Sequence, residues 1–420
     1  MGRGNEVKGK GNGSQTIGNY QWVIFALLTI VHLLMAMCFY AWGPLAPFLK
    51  KDLLINNNQF GFVVSIMYGV MVVVSIPGGF LTDKYGVKWM LVLSGFLLSI
   101  GFALFSVFNS YESLFLVSAL AGAGYGMINQ ITAKGLMYWF EPSKRATIMG
   151  IKQTSVPVGG SLIGIYLPFF AKFMGWQRAI FLLAGAIFFI LLISLVFYRE
   201  KPDLDESFFK EQQKGKTEET SIKSVLLQSR VLSLIVIFTL LAIGQSCVTS
   251  FIVLYGRESF SLPMEIAGSF LTFAMVGGSI CRVLFGFISD RIFKGDRVAP
   301  MALLTLLGVG TTLSLVFLNK GAPLWLLYAI CTLLGGALLG WNSLAIVLMA
   351  EIAGNELVGS IMGIIFTIAW GGMVIGPTLF GYVVDMYGYK MAWLVIMFFT
   401  AISFMGLICL WQKQKKAVLA

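Results

Sequence analysis

The stretch Gly79-Phe80-Leu81-Thr82-Asp83-Lys84 recurs later in the chain as Gly286-Phe287-Ile288-Ser289-Asp290-Arg291. Each copy follows an apolar run and ends in an acidic residue beside a basic one, as expected where a membrane helix leaves the bilayer. A second pair of segments also matches, Gly175-Trp176-Gln177-Arg178-Ala179 with Gly388-Tyr389-Lys390-Met391-Ala392. Patterns that recur at corresponding places indicate a chain built of two related halves.

The composition is that of an integral membrane protein. Hydrophobic residues make up 58% of the 420 residues and charged residues only 12%, which excludes a soluble globular protein. The net charge of +11 lies largely in short loops and tails, so it favours membrane orientation over nucleic-acid binding. The sequence contains no phosphate-binding loop, nucleophile–base pair or metal-binding cysteine spacing. We therefore expect no enzyme activity, no cofactor and no metal.

The apolar runs predict an all-α membrane protein with twelve transmembrane helices in two pseudo-symmetric six-helix bundles, because each run can cross a hydrocarbon core of about 30 Å. The first run is too long for a signal-peptide core and is expected to stay as the first span. The predicted spans are 20–49, 59–81, 89–108, 113–140, 146–171, 178–198, 230–256, 264–289, 300–318, 323–350, 358–383 and 391–411. The expected domains are an N-tail (1–19), an N-terminal bundle (20–198), a hydrophilic linker (199–229), a C-terminal bundle (230–411) and a C-tail (412–420).

The distribution of Lys and Arg predicts how the chain is oriented in the membrane. With the N-terminus in the cytoplasm, the loops and tails on that side hold twenty of these residues and the opposite side holds seven. Because positive charge accumulates on the cytoplasmic side, we expect both tails and the linker to be cytoplasmic in a multi-pass protein of the cell membrane.

The segment Gly79-Phe80-Leu81-Thr82-Asp83-Lys84-Tyr85-Gly86-Val87-Lys88 resembles the G-x-L-a-D-r-x-G-r-k signature of the major facilitator superfamily. Together with twelve spans and a weaker second copy, the resemblance covers essentially the whole chain. It implies two bundles around a central cavity, with alternating access by rocking of the halves. It also implies that five loop residues control conformational switching and do not touch substrate, namely Asp83, Lys84, Gly86, Asp290 and Arg291.

Four ionisable side chains lie well within the predicted spans, and all are bases: His32, Lys134, Lys152 and Arg282. All 19 acidic residues fall in loops, in tails or near the end of a span. An Arg or Lys at the centre of a membrane helix costs about 2.5–3.5 kcal/mol, so such residues usually face a cavity or a partner. Without a membrane carboxylate, the natural partner of these bases is an anion from solution. The sequence therefore predicts a carrier of small anions.

Arg282 is the first candidate for the anion site, because its planar guanidinium can hold a carboxylate with two parallel hydrogen bonds. The stretch Cys281–Asp290 resembles helix 8 of the oxalate/formate and monocarboxylate branches, which implies that Arg282 holds the substrate carboxylate. The alternative is an arginine that pairs with backbone carbonyls or extends to the cytoplasm.

Lys134 and Lys152 each lie about ten ångströms of helix from the cytoplasmic end of their span, so either could face the cavity or extend its ammonium to water. His32 is the candidate for proton coupling, against a packing role as a neutral imidazole. The other predicted substrate-binding residues are polar groups in the spans: Gln153, Asn129, Gln130, Asn342 and Tyr40.

These features predict secondary active transport of a mono- or dicarboxylate, as proton symport or anion exchange. The expected partners are the anion, a co-transported proton and the lipid bilayer, with no nucleic acid, and we expect a monomer. Efflux of neutral or amphiphilic drugs is the first alternative, because 14% aromatics and 20 methionines could line an adaptable cavity. A non-transporting sensor built on a carrier scaffold is the second.

Overall fold

The computed structural model describes residues 11–107, 110–200 and 226–419, and the regular structure within these ranges is helical. The predicted linker 199–229 lies largely outside the described residues. The helices, numbered here in chain order, are α1 (Gly11–Tyr40), α2 (Trp42–Leu53), α3 (Asn57–Val107), α4 (Tyr111–Trp139), α5 (Pro142–Gln153), α6 (Ser155–Met174), α7 (Trp176–Phe197), α8 (Ser229–Phe260), α9 (Met264–Arg291), α10 (Val298–Phe317) and α11 (Leu324–Leu419).

The described residues form ten helical stretches that are apolar and long enough to cross a membrane. Two of them, Asn57–Val107 with 51 residues and Ile361–Lys416 with 56, are far longer than the roughly 20 residues that one crossing needs. Each contains one glycine with a positive φ, Gly86 at 82° and Gly388 at 80°, where the chain turns back. Divided at these two glycines, the stretches give twelve crossings, which confirms the predicted all-α fold of two six-helix bundles.

The repeat seen in the sequence corresponds to a shared backbone turn. Gly175 opens one copy with φ 83°, and Gly388 opens the other with φ 80°. Residues with a side chain rarely adopt such a positive φ. The turn between the fifth and sixth crossings and the turn between the eleventh and twelfth therefore each require a glycine. The duplication predicted from residue patterns is therefore also present in the geometry.

The first and last helices extend beyond the predicted spans into the predicted tails. Helix α1 begins at Gly11, inside the predicted N-tail, and α11 continues to Leu419, inside the predicted C-tail. Apolar runs mark the part of a helix that lies in hydrocarbon, whereas the hydrogen-bonded backbone can continue into the headgroup region.

The two bundles meet through residues that have no side chain. A Cβ atom at Gly61 would lie 2.1 Å from the carbonyl oxygen of Pro377, and one at Gly381 would lie 2.2 Å from that of Asn57. In a second contact, a Cβ atom at Gly268 would lie 2.3 Å from the carbonyl oxygen of Gly164. These glycines let α3 approach α11 and α6 approach α9 at backbone distance.

The molecule has two ends along the membrane normal. We call the end where the first crossing begins and the last crossing ends the terminal face, and the opposite end the distal face. At the distal face Lys50 forms an ion pair with Glu258 at 2.6 Å. The carboxylate of Asp385 accepts hydrogen bonds from the backbone N–H of Asn57 at 3.1 Å and of Asn58 at 2.7 Å. Among the described residues, the hydrogen bonds and ion pairs that join the two bundles lie at this face or near mid-membrane. The conformation is closed at the distal face.

Candidate functional site

Two prolines each remove one helical hydrogen bond near the centre of the molecule. Pro44 has no N–H to donate to the carbonyl of Tyr40, and Pro157 has none for the carbonyl of Gln153. The ladder of helical hydrogen bonds accordingly lacks one bond in the first crossing, at Ala41 between α1 and α2, and one in the fifth, at Thr154 between α5 and α6. Both residues keep right-handed helical φ and ψ angles, so each crossing remains one continuous span, Tyr20–Leu53 and Thr147–Met174, as the sequence analysis treated it.

A central cleft lies between these two positions and the C-terminal bundle. It is narrow in this conformation, with only about 10 Å³ open to a water-sized sphere, which is room for about one water molecule. Helices of both bundles line it, with the residues Tyr40, Val156, Pro157, Met275, Gly278, Arg282 and Leu339. A cleft shared by both halves is where an alternating-access carrier is expected to hold its substrate.

Arg282 is half-buried in this cleft. Its Nε–H donates to the carbonyl oxygen of Leu339 at 3.1 Å, and the Ser343 hydroxyl lies 3.3 Å from the Arg282 carbonyl. Close packing makes this possible, since a Cβ atom at Gly278 would lie 2.8 Å from the Cβ of Leu339. A guanidinium carries five N–H groups, and no other described residue accepts from Arg282. Its outer nitrogens are therefore available to an anion.

Lys152 is fully enclosed, with 0% of its surface exposed. Its ammonium donates to Oδ1 of Asn129 at 2.8 Å. Among the described residues, neither Lys152 nor Arg282 has a carboxylate within ion-pairing distance. Lys152 lies four residues before Val156, on the helix that leads into the cleft. The lysine therefore points inward and does not extend toward water.

His32 is also enclosed, with 1% of its surface exposed. Its ring packs edge-on against Tyr125 with centroids 6.0 Å apart, and its Nδ1 atom has no hydrogen-bond partner within the described part of the chain. Tyr125 and Asn129 are four residues apart on α4 and share one face of it, which places His32 about one helical turn from the Lys152–Asn129 pair. The structure thus brings His32, Lys152 and Asn129 together beside the cleft.

Aromatic rings connect this group to the distal side. The ring of Phe39 stacks on Tyr125 at 3.9 Å and packs edge-on against Tyr40 and Tyr68. The Tyr68 hydroxyl lies 3.2 Å from that of Thr249, which joins the two bundles. Tyr40 therefore borders both the Arg282 cleft and the contact that closes the molecule distally.

Of the predicted substrate-binding residues, Arg282 and Tyr40 line the cleft and the others do not. The ammonium of Lys134 is 2.6 Å from the Asp83 carboxylate and 3.1 Å from the Thr82 carbonyl, at the terminal face. Gln130 donates to the carbonyl of Ser75 at 3.1 Å and so ties α4 to α3. The structure places neither residue among those that line the Arg282 cleft. Gln153 is exposed one residue after Lys152.

The loop motif is held by charge pairs in both halves. Asp83 contacts Lys134, Lys84 lies over the ring of Tyr85 at 5.1 Å, and Gly86 makes the turn into the next crossing. In the second copy Asp290 contacts Arg297, which also pairs with Glu351 at 2.9 Å. The hydrogen bond that the Arg297 guanidinium donates to the Asp290 carboxylate raises the pKa of the guanidinium. Arg291 is exposed, and the sequence analysis did not single out Arg297.

Gln245 was also missed. It lies in the middle of α8, is 7% exposed, and its Oε1 accepts a hydrogen bond from Nδ2 of Asn342 at 2.9 Å. The signal in the sequence was a run of polar residues inside an apolar span, Gln245-Ser246 followed by Thr249-Ser250. Polar side chains at membrane depth are costly and deserve the same scrutiny as charged ones.

The chain belongs to the Major Facilitator Superfamily, whose profile matches residues 28–377. It is an integral membrane protein with a carrier fold and is not an enzyme.

Several characterised proteins are similar to it. A hexuronate transporter of Bacillus subtilis is 24% identical over 360 residues, covering 82% of this chain and 83% of the relative. A probable sulfoacetate transporter, SauU, of Cupriavidus necator is 23% identical, covering 82% of each. The membrane sensor protein UhpC of Escherichia coli is 22% identical, covering 85% of this chain and 84% of the relative. In fold, the chain is similar to a bacterial homologue of the human lysosomal transporter Spinster, with a TM-score of 0.77, 13% identity, and coverage of 93% and 96%.

Proposed function

We propose that this protein transports a small organic anion across the cell membrane by alternating access. One observation carries the proposal: two cations at membrane depth, Arg282 and Lys152, have no carboxylate partner among the described residues and lie at or beside a cleft between the halves. A buried charge without a counter-ion is unfavourable, and a bound anion removes that penalty.

The anion we favour is a mono- or dicarboxylate. The guanidinium of Arg282 presents a planar pair of donors that matches a carboxylate, and the Lys152 ammonium adds a point charge nearby. The names of two relatives support this class, because a hexuronate carries a carboxylate and sulfoacetate carries a carboxylate and a sulfonate.

The transport cycle follows from the closed distal face. The count of twenty basic residues against seven supports a cytoplasmic terminal face and an extracellular distal face. The conformation is then closed toward the outside. Loading from outside requires that the pairs Lys50–Glu258 and Asp385–Asn57 separate. Rocking of the halves about the cleft would bring this about.

Coupling would use a proton or a second anion. His32 is the proposed proton site, because its enclosed Nδ1 has no partner among the described residues and its ring packs on Tyr125, one helical turn from the Lys152–Asn129 pair. The alternatives are a proton that travels with the acid and an exchange of anions. These can be separated by measuring whether uptake responds to a pH gradient or to an anion trapped inside.

One transport experiment tests the proposed anion transport against the two alternatives, drug efflux and sensing without transport. The purified full chain is reconstituted in liposomes and offered labelled lactate, malate and glucuronate, and a cationic dye in parallel. We expect uptake of at least one acid, faster than in protein-free liposomes, and no dye transport. Dye transport without acid transport would favour drug efflux. Saturable acid binding without flux would favour a sensor, the function for which UhpC is named.

A further inference from the structure

The amides of Gln245 and Asn342 form a pair beside the anion site. Nδ2 of Asn342 donates to Oε1 of Gln245 at 2.9 Å, which joins α8 to α11. The same Nδ2 lies 3.4 Å from the carbonyl oxygen of Leu339. The Leu339 carbonyl can only accept a hydrogen bond, so the Asn342 atom that faces it must be the nitrogen, Nδ2. The Gln245 atom that this nitrogen also contacts must then be the oxygen, Oε1.

Each amide keeps one group unused. Nε2 of Gln245 is a donor and Oδ1 of Asn342 is an acceptor, and no described residue hydrogen-bonds to either atom. Neither atom belongs to the fully buried polar atoms that lack a partner, so each keeps some exposure. The pair therefore offers one donor and one acceptor that the described residues leave unused.

The pair lies next to Arg282. The carbonyl oxygen of Leu339 accepts both from Nε of Arg282 at 3.1 Å and from Nδ2 of Asn342 at 3.4 Å. Two nitrogens that share one acceptor are at most about 6.5 Å apart. A carboxylate held on the outer nitrogens of Arg282 would consequently place its nearest carbon substituents close to the amide pair.

We propose that Gln245 and Asn342 form a hydroxyl-binding subsite, so that the preferred substrates are hydroxylated carboxylates; this rests on the proposed anion transport. A hydroxyl group is the simplest partner for such a pair, because it accepts from Nε2 of Gln245 and donates to Oδ1 of Asn342 at once. An acid without the hydroxyl displaces water from both amides and leaves them unpaired. Sites built to bond a hydroxyl discriminate strongly against analogues that lack it.

The test compares acids that differ by one hydroxyl. Binding of lactate against propionate, and of malate against succinate, is measured on the purified full-length protein by competition with a labelled acid. For the wild type we expect the hydroxylated acid of at least one pair to bind about tenfold more tightly or better. Gln245→Met and Asn342→Leu keep the volume and remove the hydrogen-bonding groups, so each should weaken lactate or malate binding and relieve the penalty on propionate or succinate, and thereby reduce this preference to within about threefold.

Thr305→Val serves as the control. It removes a buried hydroxyl from the same bundle, where that hydroxyl bonds only within its own helix, and it should leave the preference unchanged. Gel filtration establishes that each variant is folded. Equal binding of both acids by the wild type, or an undiminished preference in both amide variants, would overturn the subsite. If Arg282→Ala still abolishes acid binding in that case, the anion site survives. A wild-type protein that binds no acid contradicts both proposals.

Discussion

At the scale of single residues, two lysines that look alike in the sequence occupy different environments. Lys152 is sealed against Asn129 beside the cleft, whereas Lys134 pairs with Asp83 at the terminal face. Lys152→Gln should preserve a hydrogen bond to Asn129 but weaken acid binding by about tenfold or more, because the charge is lost. Lys134→Gln should slow transport and leave affinity within a few-fold. Equilibrium binding and initial uptake rates on both variants check this; equal loss of affinity in the two would contradict the assignment.

His32 carries a separate prediction. If its imidazole accepts the coupled proton, lowering the external pH should accelerate uptake by the wild type, and His32→Gln should diminish that acceleration. Glutamine can fill much of the space and supply a hydrogen-bonding group, but it cannot titrate over the range of about pH 5 to 8. Uptake measured across this range with a fixed internal pH checks the point. An unchanged profile would assign His32 to packing against Tyr125.

At the scale of helices, the contact between α3 and α11 depends on Gly61. A methyl group there would meet the Pro377 carbonyl at 2.1 Å, whereas one at Gly69 on the same helix would find its nearest neighbour, Val374, at 3.7 Å. Gly61→Ala should therefore weaken distal closure, and Gly69→Ala should not. Ser65 and Thr378, whose hydroxyls lie 2.8 Å apart, report on closure when both are changed to cysteine and oxidised. Cross-linking should fall with Gly61→Ala only; an equal yield in both backgrounds would argue against this reasoning.

The sequence was sufficient for the helices but not for the details of their hydrogen bonding and packing. Long apolar runs predict twelve crossings, because hydrocarbon leaves the backbone few other choices. The lost helical hydrogen bond near Thr154 depends on one missing N–H at Pro157, which hydropathy does not register. The position of Lys134 depends on the packing of α4 against α3, and a one-dimensional pattern does not specify it. Arg282 was found because an arginine in an apolar run has few explanations, whereas Gln245 is neutral and was passed over.

At the scale of the whole molecule, the first prediction concerns the orientation of the chain in the membrane. Lys214 lies in the predicted linker, outside the described residues, and the excess of basic residues predicts that it is cytoplasmic. In a variant whose exposed Cys409 is replaced, a cysteine at position 214 should react with a membrane-impermeant reagent only after the membrane is opened. Reaction in intact cells would invert the topology, and with it the assignment of the closed face to the outside.

The central claim is that Arg282 holds the carboxylate of a transported acid. Equilibrium binding of a labelled acid to purified wild type, Arg282→Lys and Arg282→Ala tests it most directly. A charge-assisted hydrogen bond contributes about 1.5–3 kcal/mol, so the alanine variant should bind at least about tenfold more weakly. The lysine variant should fall between, because it keeps the charge and loses the planar fork. Both variants should remain folded by gel filtration, since removing a cation from membrane depth is not costly. Folded Arg282→Ala protein that binds and transports the acid like the wild type would contradict the account.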